Sequence, residues 1–133
     1  MKVFIADDSP VLRERLNFML SEIPGIKVTG QAGTVPEAIE SIQALHPDVA
    51  ILDICMPGGS GIDVLENIKK SSVPPVVMML SSYSDPQYRE KCMALGAEYF
   101  FDKSTEFKEA VNVCEQLAKS FEPTNCEEKL ANE

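Results

Sequence analysis

Four apolar runs in this chain each end in polar residues. Val3-Phe4-Ile5-Ala6 meets Asp7-Asp8, and Val49-Ala50-Ile51-Leu52 meets Asp53. Val76-Val77-Met78-Met79-Leu80 meets Ser81, and Tyr99-Phe100-Phe101 runs through Asp102 into Lys103. Runs of this length without alternation suit strands buried on both faces, as in the middle of a parallel sheet. Strands begin near residues 3, 26, 49, 76 and 98, and the segments between them have helical periodicity, so the pattern is βα repeated five times. In open α/β sheets ligands bind at the C-terminal edge of the strands. All four polar groups fall at that edge.

The second strand, Ile26-Lys27-Val28-Thr29-Gly30, alternates apolar with polar and therefore belongs at a sheet edge. Right-handed crossovers then favour the strand order 2-1-3-4-5. The expected fold is α/β, a flavodoxin-like (βα)5 three-layer sandwich, with Asp7, Asp8 and Asp53 flanking the switch point between strands one and three. The helices carry their own signals. Ser9-Pro10 opens the first, which shows Leu12, Leu16, Met19, Leu20 and Ile23 on one face. Thr34-Val35-Pro36-Glu37 reads as a capping box for the second, with Ala38, Ile42 and Leu45 facing inward. The third spans about Ile62 to Lys70. Tyr88, Cys92 and Leu95 share one side of the fourth, and the fifth has a stripe of Phe107, Val111, Cys114, Ala118 and Phe121.

A length of 133 residues suffices for one domain with a real core, here residues 1–121. Residues 122–133 hold Pro123 and four glutamates and read as an acidic, flexible tail, with no effector domain expected after it. The formal net charge of −9, with lysines and arginines scattered along the chain, argues against the basic face that direct nucleic-acid binding requires. Apolar runs fall short of the ~20 residues of a membrane helix, and the N-terminal run is too short for a signal peptide, so a cytoplasmic location is expected. Cys55, Cys92, Cys114 and Cys126 lack metal-site spacing, and Cys92 and Cys114 fall on apolar helical faces. His46, before Pro47, reads as a loop residue.

Carboxylates gathered at the end of buried strands repel strongly. Two unit charges ~4 Å apart oppose each other by about 4 kcal/mol at an effective dielectric of 20. A proton or a cation must relieve Asp7, Asp8 and Asp53, and Mg²⁺ suits oxygen ligands that leave room for water and phosphate. Asp53 also precedes the turn-rich Met56-Pro57-Gly58-Gly59-Ser60-Gly61, which must fold back over the edge. Ser81 alone reads as a turn residue and Lys103 alone as a solvated lysine. Together they supply a hydroxyl and an ammonium for phosphoryl oxygens.

With these residues in this order, residues 1 to 121 resemble a receiver domain of the two-component response-regulator family. The resemblance implies that Asp53 is the phosphoacceptor, attacking the phosphohistidine of a histidine kinase or phosphotransfer protein. It implies Mg²⁺ held by Asp7, Asp8, Asp53 and the backbone carbonyl of Cys55. Ser81 and Lys103 would bind the phosphoryl group once formed, and Phe100 falls at the aromatic switch position. Phosphorylation would draw Ser81 in, make room for Phe100 to turn inward and alter the surface of helix four, strand five and helix five, which a downstream protein reads. Such a chain is no enzyme beyond its own phosphorylation and dephosphorylation. It acts as a monomer or a phosphorylation-dependent dimer, with no direct nucleic-acid or membrane contact.

Some positions depart from the family pattern. Ser104 stands where proline is frequent after the lysine, so no cis peptide is expected there, and Ser104 or Thr105 is expected to cap helix five. Ser82 replaces a commoner alanine or glycine. Tyr83 is expected to shield the acyl phosphate from water. A haloacid-dehalogenase-type phosphatase fits less well, because its second Asp is here Cys55. A nucleotide-binding module would want a Gly- or Ser/Thr-rich loop where Asp7-Asp8 stands. A degenerate receiver that binds without phosphorylation, and a receiver cut from a longer DNA-binding regulator, are the remaining alternatives.

Overall fold

The computed structural model describes residues 1–82 and 85–131, with side chains as far as Phe121. In chain order the elements are β1 (Lys2–Ala6), α1 (Pro10–Ser21), β2 (Lys27–Ala32), α2 (Val35–Leu45) and β3 (Val49–Leu52). Then come β4 (Cys55–Met56), β5 (Gly59–Ser60), α3 (Gly61–Ile68), β6 (Val76–Ser81), α4 (Pro86–Ala94), β7 (Tyr99–Asp102) and α5 (Phe107–Ala131). The five long strands form a parallel sheet in the order β2-β1-β3-β6-β7. That is the expected order once the two-residue antiparallel pair β4 and β5 is set aside. The continuously apolar strands occupy the centre and the alternating β2 an edge. Among the described residues no helix is long and apolar enough to cross a membrane.

Successive side chains of a strand point to opposite faces, so each apolar run feeds two cores. Val3, Ile5, Val49, Ile51, Met78 and Leu80 pack against α1 and α5, chiefly Leu16, Leu20, Ala110, Cys114 and Ala118. Phe4, Ala6, Ala50, Leu52, Val77 and Met79 pack on the other face with Ala38 and Ile42 of α2, Val64 and Leu65 of α3 and Cys92 of α4. This is the three-layer sandwich. Both helical cysteines are buried free thiols, and burial pushes the Cys114 thiol up to about 12. Both are inert core groups.

The helix starts follow the sequence, with adjustments. The Ser9 hydroxyl accepts a hydrogen bond from Leu12 N at 3.3 Å, with Pro10 next. Thr34 Oγ1 accepts from Glu37 N, but the Glu37 carboxylate reaches back to Gly33 N at 3.1 Å rather than to the cap residue. A full capping box stands instead at Ser60 and Asp63, at the start of α3. Neither Ser104 nor Thr105 caps α5, which begins later, at Phe107. The Asp102 carboxylate accepts from Ser104 N, Ser104 Oγ and Thr105 N, and this turn takes up both residues before the helix starts. The Lys103–Ser104 peptide is trans. On α4 only Cys92 of the expected stripe is buried; Leu95 is partly covered and Tyr88 is exposed. Helix α5 continues past residue 121, and the side chains beyond it, Cys126 included, lie outside the described residues.

Candidate phosphoacceptor site

Three backbone hydrogen bonds bring the strand ends together. Asp53 N donates to Ala6 O at 2.9 Å and Asp7 N to Ala32 O at 3.0 Å. Lys103 N donates to Ser81 O at 3.0 Å. Asp7 and Asp53 are therefore extensions of β1 and β3, whose last residues, Ala6 and Leu52, are partners in register. Ser81, fully buried, is opposite Asp102 on β7. The chain then turns back from Asp53 through β4 and β5 into α3. At that turn Gly61 N donates to Ile54 O at 2.7 Å, and a Cβ on Gly61 would lie 1.7 Å from the Asp53 carbonyl oxygen. Only glycine allows this approach.

Asp7, Asp8 and Asp53 each offer a carboxylate oxygen within 4.8 Å of the others. Asp7 and Asp53 are buried and Asp8 is exposed, so the cluster opens to solvent on one side. Lys103 Nζ lies 2.7 Å from Asp7 Oδ2 and 3.1 Å from Asp53 Oδ2. The remaining Asp7 oxygen, Oδ1, accepts from Ser9 N at 2.9 Å. Burial first, and then the charge of Asp7, raise the Asp53 carboxyl from 3.8 to about 6, against the opposing pull of Lys103. Burial alone would lower the Lys103 ammonium, but its bonds and charge contacts with Asp7 and Asp53 outweigh this and raise it. One ammonium thus spans two carboxylates and leaves the cluster short of positive charge. A hard divalent cation with oxygen ligands fits this donor set.

The structure brings Asp7, Asp8, Asp53 and Lys103 together, with Ser81 bonded through its carbonyl to Lys103. Cys55 follows two residues after Asp53 in β4, its side chain exposed. Tyr83 lies outside the described residues. Phe100 is already inside, 4% exposed, with the Arg89 guanidinium 4.9 Å above its ring and Arg89 Nη1 donating to Phe100 O at 3.2 Å. The ring is thus buried between β7 and the Arg89 side chain.

Sequence reasoning missed Arg13. Its Nη1 donates to the Asp7 carbonyl oxygen at 2.5 Å. One signal was available: a cation in the first turn of a helix opposes the macrodipole and needs a local acceptor. Arg89 and Glu106 also escaped notice, because the turn that carries Glu106 to Asp102 N (2.9 Å) follows from no sequence pattern.

The response regulator receiver domain family matches residues 3–115. This chain belongs to that family. It is 33% identical over 111 residues to the uncharacterized transcriptional regulatory protein YhcZ of Bacillus subtilis, covering 84% of this chain and 52% of that protein. It is 45% identical over 78 residues to a protein-glutamate methylesterase/protein-glutamine glutaminase of Rhizobium etli, covering 59% of this chain and 22% of the relative. The chain thus spans about half or less of the length of these relatives. Among solved structures it resembles the signal receiver domain of the response regulator NarL from Mycobacterium tuberculosis. The TM-score is 0.80 and the identity 32%, over 89% of this chain and 95% of that one. The response regulator domain of Thermotoga maritima CheB matches with TM-score 0.79 and 29% identity, over 90% and 94% of the two chains.

Proposed function

We propose that this receiver takes a phosphoryl group on Asp53 from a histidine kinase or phosphotransfer protein and passes the change to a downstream protein. The observation that carries this reading is the carboxylate cluster with Lys103 held between Asp7 and Asp53. An Asp53 carboxylate oxygen attacks phosphorus and forms the acyl phosphate. The P–N bond to the donor histidine breaks, and the imidazole nitrogen leaves with the electron pair. Asp7, Asp8, Asp53 and the Cys55 carbonyl would hold Mg²⁺, which supplies charge neutralisation for the transferring phosphoryl oxygens. As an acyl phosphate, Asp53 ceases to be a full anionic partner for Lys103, and the ammonium turns to a phosphoryl oxygen. The Ser81 hydroxyl takes another.

The new group adds roughly −1.5 to −2 charges beside the end of β6. The readout surface is α4, β7 and α5, where Arg89 and Phe100 sit. An inward Phe100 is the arrangement that phosphorylation would stabilise, so the phosphoryl group biases an existing equilibrium. A cytoplasmic setting accords with a kinase donor, and the unit acts as a monomer or a phosphorylation-dependent dimer. The shares of relatives covered, 52% of one transcriptional regulatory protein and 63% of another, support a second reading in which this unit belongs to a longer regulator.

The test is intact mass after incubation with acetyl phosphate, with and without Mg²⁺, for wild type and Asp53→Asn. A Mg²⁺-dependent gain of one phosphoryl group, absent from the variant, is expected. A folded, Mg²⁺-binding wild type that gains nothing from acetyl phosphate or from any phosphohistidine donor would instead be a phosphorylation-independent binding module.

A further inference from the structure

We infer that Arg13 is a positioning residue for the acidic pair, holding the Asp7–Asp8 peptide so that both carboxylates meet the cation. The inference rests on the metal site proposed above. Arg13 is the fourth residue of α1 and half-buried. The carbonyl oxygen it holds at 2.5 Å belongs to the peptide unit joining Asp7 to Asp8. Of the contacts on Asp7, the N–H bond to Ala32 fixes the strand side, and the Ser9 and Lys103 contacts fix the carboxylate. The Arg13 bond acts on the plane from which Asp8 departs.

The neighbouring loop is shaped to admit this guanidinium. A Cβ on Gly33 would lie 2.9 Å from Arg13 Nη1, 3.6 Å from Arg13 Cζ and 3.8 Å from the Asp7 carbonyl oxygen. Gly33 does not have a positive φ, so its backbone admits alanine. The cost of a side chain there falls on the flexible end of Arg13. Gly33→Ala therefore displaces the guanidinium without removing a charge.

The sign of the effect separates positioning from electrostatics. A cation beside an acidic cluster repels Mg²⁺, so charge alone predicts tighter Mg²⁺ binding when Arg13 is replaced. Positioning predicts weaker binding, because outer-shell partners typically contribute about 10- to 100-fold in metal affinity.

The experiment is calorimetric titration of MgCl2 into the full chain for wild type, Arg13→Met, Gly33→Ala and the double variant. It is paired with the Asp8 amide ¹⁵N shift in metal-free protein. Arg13→Met should weaken Mg²⁺ binding by about tenfold or more. Gly33→Ala should weaken it in the same direction, and the double variant should be no worse than Arg13→Met. The Asp8 amide resonance should move in both single variants before metal is added. Folded variants that bind Mg²⁺ as tightly as wild type, or tighter, overturn the inference alone. If Arg13→Met does not fold, Gly33→Ala decides by the same readouts. A wild type that binds no Mg²⁺ overturns the proposed metal site and this inference with it.

Discussion

Asp53 is held in conflict with its surroundings. Burial and Asp7 raise its carboxyl to about 6, and Lys103 at 3.1 Å offsets only part of that. Below pH 3.8 the carboxyl is protonated whether the chain is folded or unfolded, and it contributes no destabilisation. As pH rises from 3.8 towards about 6 the unfolded chain ionises first, so the native state loses stability, and the loss is complete above about pH 6. The shift corresponds to roughly 3 kcal/mol, with the opposing pull of Lys103 already included in it. Asp53→Asn in EDTA should therefore be about 2–3 kcal/mol more stable than wild type at neutral pH, with the gap closing towards about pH 4. Urea unfolding across that range checks it, and a gap that stays constant with pH would contradict the assignment. Replacing Lys103 acts oppositely. Lys103→Ala leaves two buried carboxylates unpaired and should cost about 3 kcal/mol or more without metal. Thermal melts with and without Mg²⁺ should show the cation restoring most of that loss, because it takes over the neutralisation.

At the scale of elements, the site depends on how tightly the turn after β3 closes. Gly61 begins α3 against the Asp53 carbonyl, and Gly61→Ala should destabilise by at least the ~1–3 kcal/mol usual for overpacking, since the contact is with backbone that cannot rotate away. The same variant should weaken Mg²⁺ binding by shifting Asp53, which a paired melt and titration would test. The glycine-rich loop was evident in the sequence, but which of its glycines faces Asp53 was not. Helix α4 exposes all of its side chains but Cys92, and its Arg89 reaches β7 at Phe100. Arg89 joins three elements: it covers the Phe100 ring, donates to the Phe100 carbonyl and lies 3.8 Å from Glu106. Arg89→Ala should uncover Phe100 and raise hydrogen exchange at β7 and α4 with little change in melting temperature. Exchange unchanged from wild type would show that the guanidinium is not what retains the ring.

At the scale of the whole molecule, the buried core members among the described residues end at Ala118, and a chain ending at Phe121 should keep its cooperative unfolding and melt within a few degrees of the full chain. A loss of cooperativity would extend the domain into the last segment. The apolar runs, with the alternating second strand, by themselves determined the five strands of the parallel sheet and their order. The short β4–β5 pair was not legible, but the runs put Asp7, Asp8, Asp53, Ser81 and Lys103 at or beside the sheet's C-terminal edge. Those features are legible because burial on both faces and the period of two are local properties of the chain. What only the tertiary structure decided involves groups from different elements. These are the Lys103 bridge across two carboxylates, the inward Phe100 under Arg89, the Asp102 turn that delays α5, and the Arg13–Gly33 fit behind Asp7. Each depends on ångström-scale distances between segments far apart in sequence, and hydrophobic periodicity carries no information about such distances.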